Sequence, residues 1–320
     1  HAHHYVTNQV VAWAEAKGRQ QVPTIRQAAY GDPPLIKLPP VNEVNPFTYG
    51  NAIRDPARFY GRKAELQAIV GRVGAISAQS ISIVGERRIG KSSLLWQVKK
   101  QAETLFHTSH RYVVLYFDLS SAAGSSNRAL MASLRRELTR AALPAWTTTE
   151  DGDLSALSYA LEDLEMQHPD ARLVLLLDEL EHITTHPQEF DGLLETLRAD
   201  AQLGRVALVT ASRASLADLC AQGRIDASPF FNIFTEVRLG LLDEAAWRLL
   251  VQNGLADVST KDWQFITNNA GRHPFLTQMA CALLWEARKT DAVDYAVLQT
   301  EFDRQAAPHH KYWEHHRGSV

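Results

Sequence analysis

The chain has 320 residues, of which 45% are hydrophobic and 22% are charged. This balance is typical of a globular protein and excludes wholesale disorder and collagen-like structure. Its 33 Lys and Arg residues against 36 Asp and Glu residues give a net charge of −3, so there is no global basic footprint for nucleic acid. The length predicts two domains, or one large domain with an appendage.

The two cysteines and the apolar runs indicate the compartment. Cys220 and Cys281 are far apart and form no pair motif, which argues against a disulfide scaffold or a cysteine zinc site and predicts a reducing, cytoplasmic location. The longest apolar runs, such as residues 173–177, are far too short to span a bilayer, so no membrane partner is expected. No signal peptide is visible, and the chain does not begin with Met, so we expect a piece of a longer protein.

Residues 1–44 predict an extension that precedes the first domain. Residues 6–16 have the spacing of a short amphipathic helix, and the prolines between Pro33 and Pro46 favour extended backbone. We interpret this stretch as a linker, or as a strap on the surface of the next domain.

From about residue 45, short apolar runs alternate with stretches of helical spacing. The runs predict buried strands at 80–84, 112–117, 173–177, 206–210 and 236–239. The stretches before and between them predict helices at 65–73, 92–106, 129–142, 154–166 and 190–203. Strands that are apolar throughout and alternate with helices indicate a parallel sheet covered on both faces.

After Leu242 the strands stop and only helical spacing remains. Four helices are predicted, at 243–251, 260–269, 274–288 and 295–304, with Asp243 as the N-cap of the first. The predicted architecture is therefore α/β: a five-stranded parallel sheet over 45–242, an all-helical domain over 243–306 and a tail over 307–320. The tail histidines lack a carboxylate or cysteine at ligand spacing, so a solvated or partner-facing tail is favoured over a metal site. These histidines are His309, His310, His315 and His316.

The strongest chemical signal lies between the first predicted strand and the next helix. It is the stretch Gly85-Glu86-Arg87-Arg88-Ile89-Gly90-Lys91-Ser92, which fits G-x-x-x-x-G-K-[ST]. The glycines let backbone N–H groups turn inward as an anion nest, and the helix adds its positive end. Lys91 would supply charge to the β- and γ-phosphates, and Ser92 would supply a hydroxyl to Mg²⁺.

Two alternatives accompany this stretch. A chance match in a turn rich in glycine and charge is one, which the flanking strand and helix argue against. The other concerns Arg87 and Arg88, which are able to face the phosphates or a neighbouring subunit but are predicted to be solvated.

Polar side chains follow two further predicted strands. Asp178 and Glu179 end the strand at 173–177, on the edge where open α/β sheets bind ligands. Asp178 is expected to hold the Mg²⁺ shell through water, and Glu179 to orient or deprotonate the attacking water. A pair that caps the next helix is the alternative. Ser212 and Arg213 would lie beside the γ-phosphate if their strand neighbours the other two, although polar strand ends are common.

Together these segments resemble the STAND class of P-loop ATPases, close to the AAA+ and origin-recognition ATPases, over about residues 45–304. Residues 85–93, with Ser93 as the last, resemble that family's phosphate loop, and Asp178 and Glu179 its second Walker motif. Residues 210–213 stand where the family has its sensor strand.

The resemblance extends to elements that hold the base. It is carried by Phe59, Gly61, Arg62 and Glu65 before the first strand, and by Gly271, His273 and Pro274 in the helical lid. Lys63 stands where an acidic residue is more usual. The lid element implies that Pro274 packs near the base.

The resemblance implies ATP or ADP and Mg²⁺ as cofactors, and slow hydrolysis by a molecular switch. Nucleotide state would control conformation and oligomerisation in signal transduction or antiviral defence. It also implies self-association on activation, with effector and sensor domains or partner proteins outside this sequence. Tyr312 and Trp313 resemble the start of a winged helix.

Two other functions stay open. A DNA-associated ATPase of replication initiation or transposition would need a basic stripe. Arg135, Arg136 and Arg140 form a small basic helix face, which Glu137 weakens. An interaction scaffold with an inactive nucleotide site is the other alternative, and the intact Lys91 argues against it.

Overall fold

The computed structural model describes residues 44–106, 110–143, 145, 153–222, 230–289 and 292–312. The helix predicted over 6–16, the proline-rich linker, and the tail residues Trp313, His315 and His316 lie outside the described residues. From Asn45 onward the chain belongs to one compact unit.

Five strands form a single sheet in which every pairing is parallel. They are β1 (Ser80–Val84), β2 (Arg111–Asp118), β3 (Ala171–Asp178), β4 (Val206–Ser212) and β5 (Phe234–Arg238). Their order is β2-β3-β4-β1-β5, so β4 lies between β3 and β1. The prediction of a parallel five-stranded sheet is confirmed. The strand that ends in Ser212 also neighbours β1 and β3, which was the condition for Ser212 and Arg213 to lie near the phosphate loop.

Helices cover the sheet and form the region that follows it. They are α1 (Lys63–Val73), α2 (Lys91–Lys100), α3 (Ala102–Leu105), α4 (Asn127–Arg140), α5 (Leu154–Gln167), α6 (Glu181–Thr185), α7 (Leu193–Gln202), α8 (Leu216–Gln222), α9 (Glu244–Gly254), α10 (Thr260–Ala270), α11 (Pro274–Ala287) and α12 (Tyr295–Ala306). Short 3₁₀ turns occupy Pro56–Arg58, Pro187–Phe190, Phe230–Ile233 and Ala307–Tyr312. None of the helices in the described part is long and apolar enough to cross a membrane.

Two predicted helices differ from the structure. The helix predicted over 92–106 is divided at Gln101, which ends α2. The helix predicted over 190–203 begins only at Leu193, because Gly192 has a φ of +71° that a right-handed helix cannot contain. The short helices α6 and α8 were not predicted, since five to seven residues are too few to show a helical period.

The two faces of the sheet are buried by different helices. On one face Ile81, Ile83 and Val209 pack with α1 and α2, and on the other Leu175 and Leu208 pack with α4, α5 and α7. Alternating residues along β3 and β4 therefore enter two separate hydrophobic clusters, whereas β1 contributes Ile81 and Ile83 to one of them. Burial on both faces explains why β3 and β4 are mostly apolar.

The helical region, which comprises α9 to α12, surrounds a third hydrophobic cluster. Asp243 caps α9 as predicted, because its Oδ1 accepts a hydrogen bond of 2.8 Å from the Ala246 N–H. Phe47 lies far away in sequence but is only 8% exposed, and its ring completes this cluster.

Residues 45–53, which we call the strap, join the helical region to the sheet domain. At one end Phe47 is buried and the Thr48 N–H donates to Gln278 Oε1 at 3.1 Å. At the other end the Ile53 N–H donates to Ser93 Oγ at 2.9 Å, and Gln97 Nε2 donates to the Ile53 carbonyl at 2.9 Å. The strap is therefore hydrogen-bonded to α11 and to α2.

Two glycine substitutions test how tightly the strap is anchored. A Cβ on Gly254 would overlap the Phe47 ring, whereas no described atom lies within 4 Å of a Cβ on Gly71. We expect Gly254→Ala to lower the free energy of unfolding by about 1–3 kcal/mol through overpacking. Gly71→Ala, the control in the exposed part of α1, should raise it by about 0.5–1 kcal/mol. Urea denaturation measures both, and equal effects would contradict the anchoring of the strap.

Candidate nucleotide-binding site

The phosphate loop turns sharply between β1 and α2. A Cβ on Gly85 would lie 2.8 Å from the Leu239 carbonyl oxygen, so the close approach of β5 requires glycine there. Gly90 has a φ of +106° and forms the N-cap of α2. Arg88 also takes a left-handed conformation, with a φ of +64°, which costs free energy in any residue other than glycine. The loop therefore has the backbone conformation of an anion nest at a helix N-terminus.

Lys91 is the first residue of α2 and is only 6% exposed. Its Nζ donates to the carbonyls of Gly85 at 2.7 Å and Glu86 at 2.9 Å, which accounts for two of its three donors. Burial lowers its pKa, and the carboxylates of Glu181, Glu179 and Asp178 act in the opposite direction. The ammonium is thus held inside the loop, beside the carboxylates at the end of β3 and the start of α6.

Asp178 ends β3 and is almost fully buried. Its Oδ1 accepts from the Glu179 N–H at 3.0 Å, and its Oδ2 accepts from the Tyr116 hydroxyl at 2.8 Å. Burial raises the pKa of Asp178, whereas hydrogen bonding from the Ser92 side chain, from Tyr116 and from the Glu179 N–H lowers it. Ser92 and Asp178, the two predicted magnesium ligands, are therefore neighbours.

Glu179 follows Asp178 in a left-handed conformation with a φ of +53°. Its carboxylate lies 3.8 Å from the Arg213 guanidinium, which also pairs with Glu181. Burial raises the pKa of Glu179, and the neighbouring Glu181 and Asp178 add to that rise. A carboxylate with a raised pKa is suited to accept a proton from water.

Ser212 and Arg213 take different directions at the end of β4. The Ser212 hydroxyl is buried and donates to the Ala214 carbonyl at 2.7 Å, so it stabilises its own turn. The Arg213 side chain instead extends toward the end of β3 and the start of α6, where it pairs with Glu179 and Glu181. Of the two residues, Arg213 is the one beside the predicted water-activating carboxylate.

A cavity of about 290 Å³ opens in front of the phosphate loop. The predicted site residues that line it are Phe59, Arg62, Arg87, Arg88, Ile89, Gly90, Lys91, Ser92, Ser93, Glu179 and Pro274. Those outside its lining are Gly61, Gly85, Glu86, Asp178, Ser212, Arg213 and His273. Sequence reasoning did not name Gly50, Asn51, Ala52, Phe275 and Gln278 as cavity-lining residues. The signal for Gly50, Asn51 and Ala52 is that residues 45–56 resemble the lead-in to the nucleotide pocket of the STAND-class ATPases.

Gly61 and Arg62 support the cavity through contacts within the protein. A Cβ on Gly61 would come within 2.7 Å of the Ala246 Cβ, so glycine permits α1 to approach α9. The Arg62 guanidinium donates to the carbonyls of Gly240 at 2.6 Å and Ile89 at 3.2 Å and pairs with Glu65 at 3.2 Å. Arg62 thus fixes the phosphate loop to the chain that leads into the helical region.

The expectation that Arg88 is solvated is wrong. Its guanidinium lies 4.3 Å from the centre of the Phe275 ring, and its Nη1 donates to the Tyr49 carbonyl at 3.3 Å. The Phe275 ring also contacts His309 edge to face, at 5.1 Å between centroids. Burial lowers the pKa of Arg88, and the neighbouring Arg87 lowers it further. The cation–π contact with the Phe275 ring explains why the Arg88 side chain is only partly exposed to solvent.

His273 and Pro274 stand at the N-terminus of α11 but differ in exposure to the cavity. His273 is the N-cap and is 2% exposed, so it is part of the packing below the cavity. Pro274 is the first helical residue and lines the cavity. Its fixed φ suits that position, and its ring presents an apolar surface.

The donors near the loop suit a hard cation. Within the described part of the chain no group of three or more His, Cys, Asp and Glu side chains is placed to hold a metal ion. A hydroxyl and one carboxylate, from Ser92 and Asp178, match the oxygen ligands of Mg²⁺, which keeps several waters and takes others from phosphates.

The fold and the phosphate loop define a P-loop NTPase. Within that class, the family model described as Novel STAND NTPase 2 matches residues 75–319, and the chain belongs to this family. A search of curated proteins gives no match.

Solved structures of the same class share the fold. The chain is similar to a Walker-type ATPase of Pyrococcus abyssi, with a TM-score of 0.59 and 14% identity over 80% of this chain and 75% of that one. It is also similar to the ORC2 protein of Aeropyrum pernix, solved as ADPNP and ADP complexes, with a TM-score of 0.58 and 16% identity over 79% and 70% of the two chains. It is also similar to the ORC1 protein of the same organism, solved in complex with DNA, with a TM-score of 0.51 and 12% identity over 77% of this chain and 66% of that one. At these identities the likeness concerns the fold alone.

Replacing Lys91 tests the phosphate loop. We expect Lys91→Ala to weaken binding of a fluorescent ATP analogue about 10- to 100-fold, because it removes a charge-assisted contact worth about 1.5–3 kcal/mol. Lys100→Ala removes the same charge at the exposed C-terminal end of the same helix and should leave the affinity unchanged. Equal affinities of wild type and Lys91→Ala would remove the loop from the binding site.

Proposed function

We propose that this chain binds ATP with Mg²⁺, hydrolyses it slowly, and acts as a STAND-type switch in which nucleotide state sets conformation and self-association. One observation carries the proposal. The phosphate loop with Ser92 and the carboxylate of Glu179 line the cavity that the strap and the helical region share, and Asp178 lies just outside the lining, beside Ser92.

The roles of the residues follow from their positions. Residues 85–93 would receive the phosphates, with Lys91 as the mobile charge. Ser92 and Asp178 would hold Mg²⁺, which would neutralise negative charge on the phosphates. Glu179 would accept the proton of the attacking water. The base would lie toward Phe59 and Pro274, where the cavity is lined by apolar and aromatic side chains.

A ligand in this cavity would contact three parts of the chain at once. The lining includes the phosphate loop, the strap and the first turn of α11. Arg88 already joins them, through the Phe275 ring and the Tyr49 carbonyl. A nucleotide that displaces or tightens these contacts would shift the conformational equilibrium in proportion to its differential affinity for the two states. This is the physical basis for the proposed switch.

The proposal also includes the partners of the switch and its location in the cell. Effector and sensor domains or partner proteins would couple the nucleotide state to signalling or defence, in the cytoplasm. The free cysteines, Cys220 and Cys281, are in keeping with a reducing compartment.

A DNA-associated ATPase is the second candidate, because ORC1 of Aeropyrum pernix was solved in complex with DNA. The basic face of α4 offers little support for it. Arg140 pairs with Glu137 at 2.6 Å, and Arg136 donates to the Ser133 hydroxyl at 3.4 Å. A titration of duplex DNA at several salt concentrations separates the candidates, since phosphate contacts produce a steep salt dependence. Tight, salt-dependent binding would favour the DNA-associated function.

Hydrolysis is tested at Glu179. We expect Glu179→Gln to lower the rate of phosphate release about 10²- to 10⁴-fold, because the general base is lost, while the affinity for ATP and Mg²⁺ changes little. Glu103→Gln, on the short helix α3, is the control for the loss of one carboxylate and should hydrolyse ATP like wild type. An unchanged rate in Glu179→Gln would exclude it as the base.

The coupling between nucleotide and helical region is tested at Arg88. We expect ATP to slow hydrogen exchange in residues 268–277 of the wild type, because the bound ligand contacts the start of α11. In Arg88→Gln this protection should decrease by more than half, while ATP affinity stays within about 10-fold, the loss expected of one charge-assisted contact. Arg87→Gln, the control, removes a charge from the same loop but keeps the contact between Arg88 and Phe275. Protection of the phosphate loop without protection of residues 268–277 would contradict the coupling.

A further inference from the structure

Tyr116 is a polar residue of the sheet that the proposed mechanism does not use. It lies on β2, opposite Leu176 of β3, and its hydroxyl donates to Asp178 Oδ2 at 2.8 Å. A tyrosine hydroxyl ordinarily keeps its proton at neutral pH and an ionised carboxylate can only accept, so Tyr116 is the donor. A neutral donor is thereby aimed at the carboxylate that ends the neighbouring strand.

The ring of Tyr116 is held from the side that faces α2. Trp96 packs against it, with 4.9 Å between ring centroids and 36° between planes. The guanidinium of Arg54, the residue after the strap, lies 4.4 Å from the centre of the Trp96 ring. A packed aromatic side chain has few rotamers available, so the direction of the hydroxyl is set before any ligand binds.

The carboxylate of Asp178 is consequently fixed at both oxygens. Oδ1 accepts the Glu179 N–H and Oδ2 accepts the Tyr116 hydroxyl. An ionised carboxylate has about four acceptor sites, so these two bonds leave sites for a cation or its water while they determine the orientation of the group. The Ser92 side chain faces the same carboxylate.

We propose that Tyr116 is a positioning residue that orients the Asp178 carboxylate toward a magnesium ion shared with Ser92. The inference rests on the proposed function, because it concerns the metal of the same site. Tyr116 itself does not line the cavity. Its effect comes from the hydrogen bond to Asp178, as with outer partners of metal ligands, whose loss typically costs about 10- to 100-fold in metal affinity or activity.

The chain contains a closely matched control. Tyr112 lies on the same strand as Tyr116, and four residues apart on a strand means the same face of the sheet. Its ring stacks on Phe106, with 4.4 Å between ring centroids, and packs against the same hydrophobic cluster as the ring of Tyr116. Tyr112→Phe therefore removes a hydroxyl from the same face of the sheet without touching the bond to Asp178.

The experiment measures Mg²⁺ dependence by two readouts. A fluorescent ATP analogue is titrated into wild type, Tyr116→Phe and Tyr112→Phe, in EDTA and over a series of Mg²⁺ concentrations, and the rate of hydrolysis is measured over the same series. In Tyr116→Phe we expect the Mg²⁺ concentration at half-effect to rise about 10- to 100-fold in both readouts. Affinity in EDTA, and the hydrolysis rate at saturating Mg²⁺, should stay within about 5-fold of wild type, the change that loss of one neutral hydrogen bond outside the cavity lining allows. Tyr112→Phe should match wild type throughout.

A second variant tests the same hydrogen bond without removing the Tyr116 hydroxyl. Trp96→Phe keeps the Tyr116 hydroxyl but weakens the packing behind it, and we expect a smaller shift of the Mg²⁺ midpoint in the same direction. Thermal unfolding in EDTA verifies that every variant is folded. An unchanged midpoint in folded Tyr116→Phe, or equal shifts in Tyr116→Phe and Tyr112→Phe, would overturn the inference and leave the proposed function intact. Wild-type binding of the ATP analogue that is insensitive to Mg²⁺ would instead overturn the magnesium part of the proposed function.

Discussion

The parallel register of β1, β4 and β3 is the constraint on which the rest of the site depends. Val84 lies opposite Ser212, and Leu177 lies opposite Thr210, so the three strands end at the same edge of the sheet. Each strand therefore delivers its polar residues to one place, although they are far apart in sequence. Because a shift of one residue would turn every side chain to the opposite face, the two buried faces of the sheet also fix the geometry of the site.

Burial of charge is the main free-energy cost of this arrangement. Lys91 and Asp178 are both almost fully buried, and unpaired charges in such positions are strongly unfavourable. The protein offsets the cost with donors and acceptors: loop carbonyls accept from Lys91, and Tyr116 and the Glu179 N–H donate to Asp178. These hydrogen bonds hold the charged groups in place before a nucleotide arrives. Preorganisation of this kind reduces the reorganisation that binding would otherwise require.

The sequence predicted what depends on short stretches of chain. Strand and helix positions, the phosphate loop and Asp178 with Glu179 follow from periodicity and from motifs of eight residues or fewer. It did not predict the contacts made across the fold. Tyr116 meets Asp178 from 62 positions away, and Arg88 meets Phe275 in a different part of the chain. Arginine is usually exposed, so residue type alone gave the wrong environment for Arg88, whose partial burial follows from its contacts with the Phe275 ring and the Tyr49 carbonyl.

The strap connects the helical region to the sheet and its helices a second time, in addition to the stretch of chain that leads from β5 into α9. It is anchored in the helical core by Phe47 and on α2 by its bond to Ser93, which directly follows the predicted magnesium ligand Ser92. Arg54 continues the same path to Trp96, and through it to the ring of Tyr116. A displacement of the helical region would therefore pull on the cavity both at the first turn of α11 and beside Ser92. Because packed cores have discrete arrangements and deform little, such a connection favours two defined states over a continuum, which is the property that a nucleotide-controlled switch requires.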